Sequence, residues 1–104
     1  MKTLISTDQL TGLPGEELVR KGLADLGSGQ VTEEACLVSM ASPRLRDCGL
    51  LAADTSLVDD AEMTLYRLLG QHEEDPYSTY NSLVRRLVSF EHALDRHPLP
   101  VSAA

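Results

Sequence analysis

The sequence predicts an all-α fold, a small bundle of about five helices that ends in a long antiparallel helical hairpin. Apolar residues recur at the helical period along most of the chain, and Pro and Gly fall where helices would start and stop. No segment of strand length alternates polar and apolar residues, apart from the short TLIS near the start. The 104 residues are the size of a single domain.

The first helix is predicted in the segment LPGEELVRKGLADLGSG, after a loosely ordered arm at residues 1–12. Pro14 suits the first turn of a helix, and the two glutamates that follow favour the positive end of the helix dipole. Gly27 and Gly29 would end the helix.

Two short helices are predicted next. Thr32 is a suitable N-cap for a second helix that begins at Glu33. Ser42 is expected to cap a third helix, with Pro43 at its first position and Gly49 at its end.

The last two helices form the predicted hairpin. Ser56 is predicted to cap the fourth helix, and Asp75 to cap the fifth. Pro98 would end the fifth helix and leave residues 98–104 as a frayed tail. Five apolar residues are assigned to the core-facing side of the fifth helix: Tyr77, Tyr80, Val84, Leu87 and Leu94.

Composition excludes several classes of function. The formal net charge of -7 disfavours binding to nucleic acid and to anionic lipid, because both depend on cationic side chains. Cys36 and Cys48 match no disulfide framework or zinc pattern, so two free thiols, no metal and no cofactor are expected. With no signal peptide and no apolar run of about 18 residues, the sequence predicts a cytoplasmic protein that does not enter a membrane.

Adjacent arginines occur in the fifth helix, at Arg85 and Arg86. Neighbouring residues of a helix point about 100° apart, so the two side chains cannot act on one point. They are interpreted as surface residues that pair with acidic residues of the preceding segment, namely Asp59, Asp60 and Glu62.

Two Arg–His spacings suggest an enzymatic alternative. Four residues separate Arg67 from His72, and five separate Arg86 from His92. An all-α domain of this size with such a spacing resembles the HEPN ribonucleases. The resemblance covers only those residues. It implies RNA processing in which the His is a general acid or base and the Arg stabilises charge on the phosphate.

The other distinctive residues are explained by caps and turns, so the sequence favours a non-enzymatic protein-interaction or accessory domain. Its last two helices carry more apolar residues than one core-facing stripe requires, which predicts an exposed contact surface. A second copy of the chain is the expected partner, in a homodimer, unless the N-terminal arm covers that surface. The interface candidates are Met63, Tyr66, Leu83, Val88 and Phe90.

Overall fold

The computed structural model describes residues 12–96, which form five α-helices and no strand. The all-α prediction is therefore confirmed for this part of the chain. The helices are α1 Glu16–Gly27, α2 Glu33–Met40, α3 Ser42–Asp47, α4 Ala61–Leu69 and α5 Pro76–Arg96. The predicted arm, apart from Gly12, and the predicted tail lie outside the described residues.

Helix α1 begins at Glu16, two residues after Pro14, which was predicted to lie in its first turn. Gly15, which precedes it, has a φ of 76°, in the left-handed region that favours glycine. A Cβ atom at Gly15 would lie 2.8 Å from the carbonyl oxygen of Arg86 in α5. The glycine therefore allows the start of α1 to pack directly on α5.

Helix α2 is the centre of the bundle. Residues 35–38 are each at most 1% exposed, and α2 contacts α1, α3, α4 and α5. A helix that is apolar on every side has to be enclosed by its neighbours. As predicted, the Thr32 hydroxyl caps this helix by accepting a hydrogen bond from the Ala35 N–H at 3.1 Å.

The closest approach between α1 and α2 occurs at Gly22. A Cβ atom at this position would collide with the carbonyl oxygen of Glu34 and with a methyl group of Val38. Glycine in a helix interior otherwise costs about 0.5–1 kcal/mol relative to alanine. Glycine is nevertheless required at position 22, because any side chain would push the two helices apart.

Helix α3 differs from its prediction by one residue at its start. It begins at Ser42, which is buried, and Ala41 occupies the cap position in place of the serine. Gly49 follows the end of the helix with a φ of 83°, as its predicted role as a terminator requires.

Helix α4 begins at Ala61, four residues later than predicted, so Ser56 is not its cap. The N–H of Val58 donates to the Ser39 hydroxyl of α2 at 3.0 Å, and Arg46 donates to the Thr55 carbonyl oxygen at 3.0 Å. These two contacts hold residues 55–58 as a loop against α2 and α3. Hydrogen bonds to distant residues thus outweigh the local capping signal.

Helix α5 begins where it was predicted and packs against α4. An oxygen of the Asp75 carboxylate accepts a hydrogen bond from the Ser78 N–H at 3.1 Å. The helix buries Leu87, Phe90, Ala93 and Leu94. Tyr77 was assigned to this side, but it is 65% exposed, because it lies about 80° around the helix from Leu87.

Candidate functional site

The first Arg–His spacing lies at the end of α4. Arg67 donates a hydrogen bond to Thr64 at 3.4 Å, within its own helix. His72 lies beyond the helix end, where its ring nitrogens contact the carboxylates of Glu33 and Glu73. Within residues 12–96, no hydrogen bond or ion pair joins Arg67 to His72.

The second spacing lies within α5. His92 is six positions after Arg86 along α5, so the two residues are about 9 Å apart along the axis and about 120° apart around it. Arg86 forms an ion pair with Glu17 of α1. Its predicted pairing with Asp59, Asp60 or Glu62 was therefore wrong.

His72 also borders an open groove of about 350 Å³ between α1, the start of α2 and the end of α4. The groove is lined by Lys21, Val31, Thr32, Glu33, Glu34, Leu68, Gln71 and His72. Its charged residues bind one another. Lys21 contacts Asp25 at 2.7 Å and Glu34 at 3.5 Å, and His72 contacts Glu33.

The electrostatics of this groove favour a protonated histidine. The hydrogen bond to Glu33 is the main cause that raises the pKa of His72 above its ordinary value, and Glu73 adds to it. The hydroxyl of Thr32 is already used, since it accepts from Ala35 and donates to Asp25. The residues that line the groove therefore include a possible proton donor but no uncommitted nucleophile.

The two cysteines are free, and neither is activated. Burial raises the pKa of the Cys36 thiol to about 11, and burial also raises the pKa of the Cys48 thiol. Both side chains are therefore protonated near neutral pH, whereas a catalytic cysteine acts as the thiolate. Among the described residues, no three His, Cys, Asp or Glu side chains form a group that could hold a metal ion.

A partly exposed apolar surface lies on α4 and α5. We call this surface the α4–α5 face and define it by Met63, Tyr66, Tyr77, Tyr80, Val84 and Val88. The rings of Tyr66 and Tyr80 meet edge to face, with centroids 6.2 Å apart, which joins the two helices. The exposed fractions are 60% for Met63, 65% for Tyr77, 41% for Tyr66 and 38% for Val88.

The five predicted interface candidates differ in how far they are exposed. Met63, Tyr66 and Val88 are exposed on the α4–α5 face, whereas Leu83 is only partly buried against the core. Phe90 is completely buried, so it belongs to the core and cannot contact a partner. Tyr77 was missed, although its spacing to Val84 and Val88 follows the helical repeat and could have indicated a shared stripe.

None of the helices within residues 12–96 combines the length and the apolar character needed to cross a bilayer. No family model, curated protein or solved structure matches this chain.

Proposed function

We propose that the chain is a small, non-enzymatic protein-interaction or accessory domain of the cytoplasm, and that it associates with a second copy of itself through the α4–α5 face. The observation that supports this proposal is the set of large apolar side chains that stay exposed on two adjacent helices. Contiguous apolar surface of this kind usually marks a contact site. The proposal also treats α4 and α5 as the two arms of the antiparallel hairpin.

Two properties of the face favour a protein partner. Tyr and Met are enriched at protein interfaces because they offer large contact areas, and Tyr adds a polar hydroxyl. The face also differs from the polar groove, where each charged group already has a partner. A contact by the face therefore gains apolar burial without breaking internal ion pairs.

The expected association is weak. A stable interface usually buries about 800 Å² on each partner, and smaller contacts form transient complexes. Six side chains on two helices provide only part of such an area, so we expect a dimer that forms at micromolar concentrations and dissociates on dilution.

The test is a concentration series by analytical ultracentrifugation. The wild type should move from monomer to dimer, and the double variant Met63→Ser/Tyr77→Ser should remain monomeric at the same concentrations. Val31→Ser is the matched control, because Val31 is 58% exposed but lies outside the face. A wild type that stays monomeric on concentrating, or a Val31→Ser variant that is as defective as the double variant, would contradict the proposal.

The alternative is a HEPN-like RNA-processing enzyme. The observation in its favour is His72, which borders the groove and whose pKa is raised by Glu33, as suits a general acid. Cleavage of single-stranded RNA by the wild type, lost in His72→Gln and retained in Met63→Ser, which lies outside the groove, would support it. The same assay on His92→Gln would test the second spacing, with Arg67→Gln and Arg86→Gln as the partner variants.

A further inference from the structure

We infer that His72 is a proton-dependent clasp between the start of α2 and the start of α5. The clasp is closed while both ring nitrogens of His72 carry a proton, and it opens when one proton is lost. It is a chain of four side chains, those of Glu33, His72, Glu73 and Thr79. This inference goes beyond the proposed self-association and does not depend on it.

The contacts of the clasp connect three parts of the fold. Glu33 is the first residue of α2, and its carboxylate contacts Nε2 of His72. Nδ1 of the same ring lies 3.2 Å from Oε2 of Glu73, in the turn after α4. The other carboxylate oxygen of Glu73 accepts a hydrogen bond from the Thr79 hydroxyl in the first turn of α5, at 3.1 Å. The imidazole ring therefore connects α2 to α5 through two carboxylates.

Both ring contacts are hydrogen bonds only when the imidazole is protonated. The charged ring carries an N–H on each nitrogen, whereas the neutral ring has one N–H and one lone pair. A lone pair that faces a carboxylate repels it, so the loss of one proton turns one of the two attractions into a repulsion. Histidine is the side chain whose ordinary titration lies close to neutral pH. The clasp therefore responds to pH in a range where the carboxylates keep their charge.

Other charged groups near the ring have contacts of their own. Within residues 12–96, only the two carboxylates of the clasp form ion pairs with His72. Lys21 of α1 and Glu34 of α2, which line the same groove, contact each other at 3.5 Å. Arg67 of α4 donates to Thr64 in its own helix. The proton on the imidazole is therefore what holds the two carboxylates together.

Opening the clasp releases the first turn of α5 from α2 without unwinding it. The carboxylate of Asp75 caps α5 through hydrogen bonds from Ser78. Those bonds hold the pKa of Asp75 below its ordinary value, so the cap stays charged while His72 titrates. The turn thus remains helical and changes only its link to α2. Because the turn also carries Tyr77, the clasp adjoins one end of the α4–α5 face.

NMR spectroscopy of the full-length chain tests the clasp. The Thr79 methyl group and the His72 ring are followed between about pH 5.5 and pH 8.5, which brackets the ordinary titration of histidine. In the wild type the two signals should shift with the same midpoint. His72→Gln should abolish the shift of the Thr79 methyl signal, and Glu73→Gln should abolish it while His72 still titrates.

Glu33→Gln and Glu34→Gln are a matched pair of variants for the other end of the clasp. They make the same chemical change at adjacent positions of α2, but only Glu33 contacts His72. Glu33→Gln should lower the midpoint of both signals, whereas Glu34→Gln should leave both nearly unchanged. A Thr79 signal that does not respond to Glu33→Gln, or that still titrates in His72→Gln, would overturn the clasp.

Opening is tested by a measurement of proximity, because a shifted signal alone can report charge without movement. Nuclear Overhauser effects should join the His72 ring to the side chains of Glu33 and Glu73 in the protonated form. At least one of the two should weaken by about half when the ring is neutral, since an exposed ion pair is weak and the neutral ring keeps only one donor. If both effects keep their strength across the titration, the neutral ring stays in place and the release of α5 is overturned.

Discussion

The contact between α1 and α2 and the outer surface of α4 and α5 use apolar residues in opposite ways. At the first, small side chains and Gly22 bring two helices so close that a Cβ atom would collide. At the second, larger side chains such as Met63 and Tyr77 remain mostly exposed. The size of the apolar side chains alone does not explain the difference, since the larger ones are in the exposed region.

What differs is the number of neighbours around each helix. Helix α2 has four other helices against it, so even its short side chains are fully enclosed. Helices α4 and α5 use one side for the core, through Leu65 and Leu69 on α4 and Leu87 on α5. No described helix packs on the side that carries Tyr77. Tyr77 is therefore exposed because of how the helices of residues 12–96 are arranged, and not because of its own chemistry. The same arrangement leaves the other large side chains of the α4–α5 face exposed.

The largest expected effect distinguishes Phe90 from Tyr77, two aromatic residues of α5. Phe90→Ala should lower the free energy of unfolding by about 3–5 kcal/mol, because it empties a fully buried site. Tyr77→Ala should change it by no more than about 0.5 kcal/mol when measured in urea on dilute protein. If Tyr77→Ala lost as much stability as Phe90→Ala, the α4–α5 face would have to be covered within the monomer. The contrast between a buried Phe90 and an exposed Tyr77 would then be wrong.

Gly22→Ala tests the close contact of α1 and α2. Although alanine favours helix, the variant should lose about 1–3 kcal/mol of stability, because the added methyl group strikes the backbone of Glu34. Gly27→Ala is the control in the same helix, since its Cβ would meet nothing within 4 Å. That control should be neutral or slightly stabilising. Equal effects of the two variants in denaturant melts would refute the close packing.

A smaller effect is expected at the start of α5. The hydrogen bonds from Ser78 are the main cause that lowers the pKa of Asp75 below its ordinary value of 3.8. A lowered folded-state pKa adds stability that is complete above pH 3.8 and is lost as the pH falls through the lowered value. The difference in urea midpoint between the wild type and Asp75→Ala should therefore be constant above this pH and should shrink below it. A difference that did not change between pH 2 and pH 6 would exclude the carboxylate as the cap.

The smallest expected effect concerns His72, which links the turn after α4 to α2 through Glu33. Its pKa, followed by NMR, should lie above 6.5 and should fall in Glu33→Gln, while Glu62→Gln leaves it unchanged. Because the folded-state pKa is raised, the contribution to stability is complete below pH 6.5 and is lost as the pH rises through the raised value. A pKa that does not respond to Glu33→Gln would show that the contact does not persist in solution.

Local signals in the sequence located the starts of α2 and α5 correctly. Thr32 and Asp75 cap α2 and α5 because a side-chain oxygen two or three residues before a free N–H is sufficient for a cap. Ser56 has the same chemistry but does not cap α4, since Ser39 and Arg46 bind the neighbouring backbone. The difference is that the partners of the backbone on either side of Ser56 lie in other helices, so the residues next to Ser56 in the sequence do not reveal them.

The sequence by itself determined the all-α class, the number of helices and the presence of surplus apolar residues near the end of the chain. These depend on the helical period and on caps, which act over a few residues. Only the tertiary structure decided that α2 is the centre, that Phe90 is buried and Tyr77 exposed, and that Arg86 binds Glu17 while Arg85 has no carboxylate partner among residues 12–96. Those outcomes depend on how far each helix is rotated about its axis and on which helices surround it. About 140° around α5 separates the buried Phe90 from the exposed Tyr77.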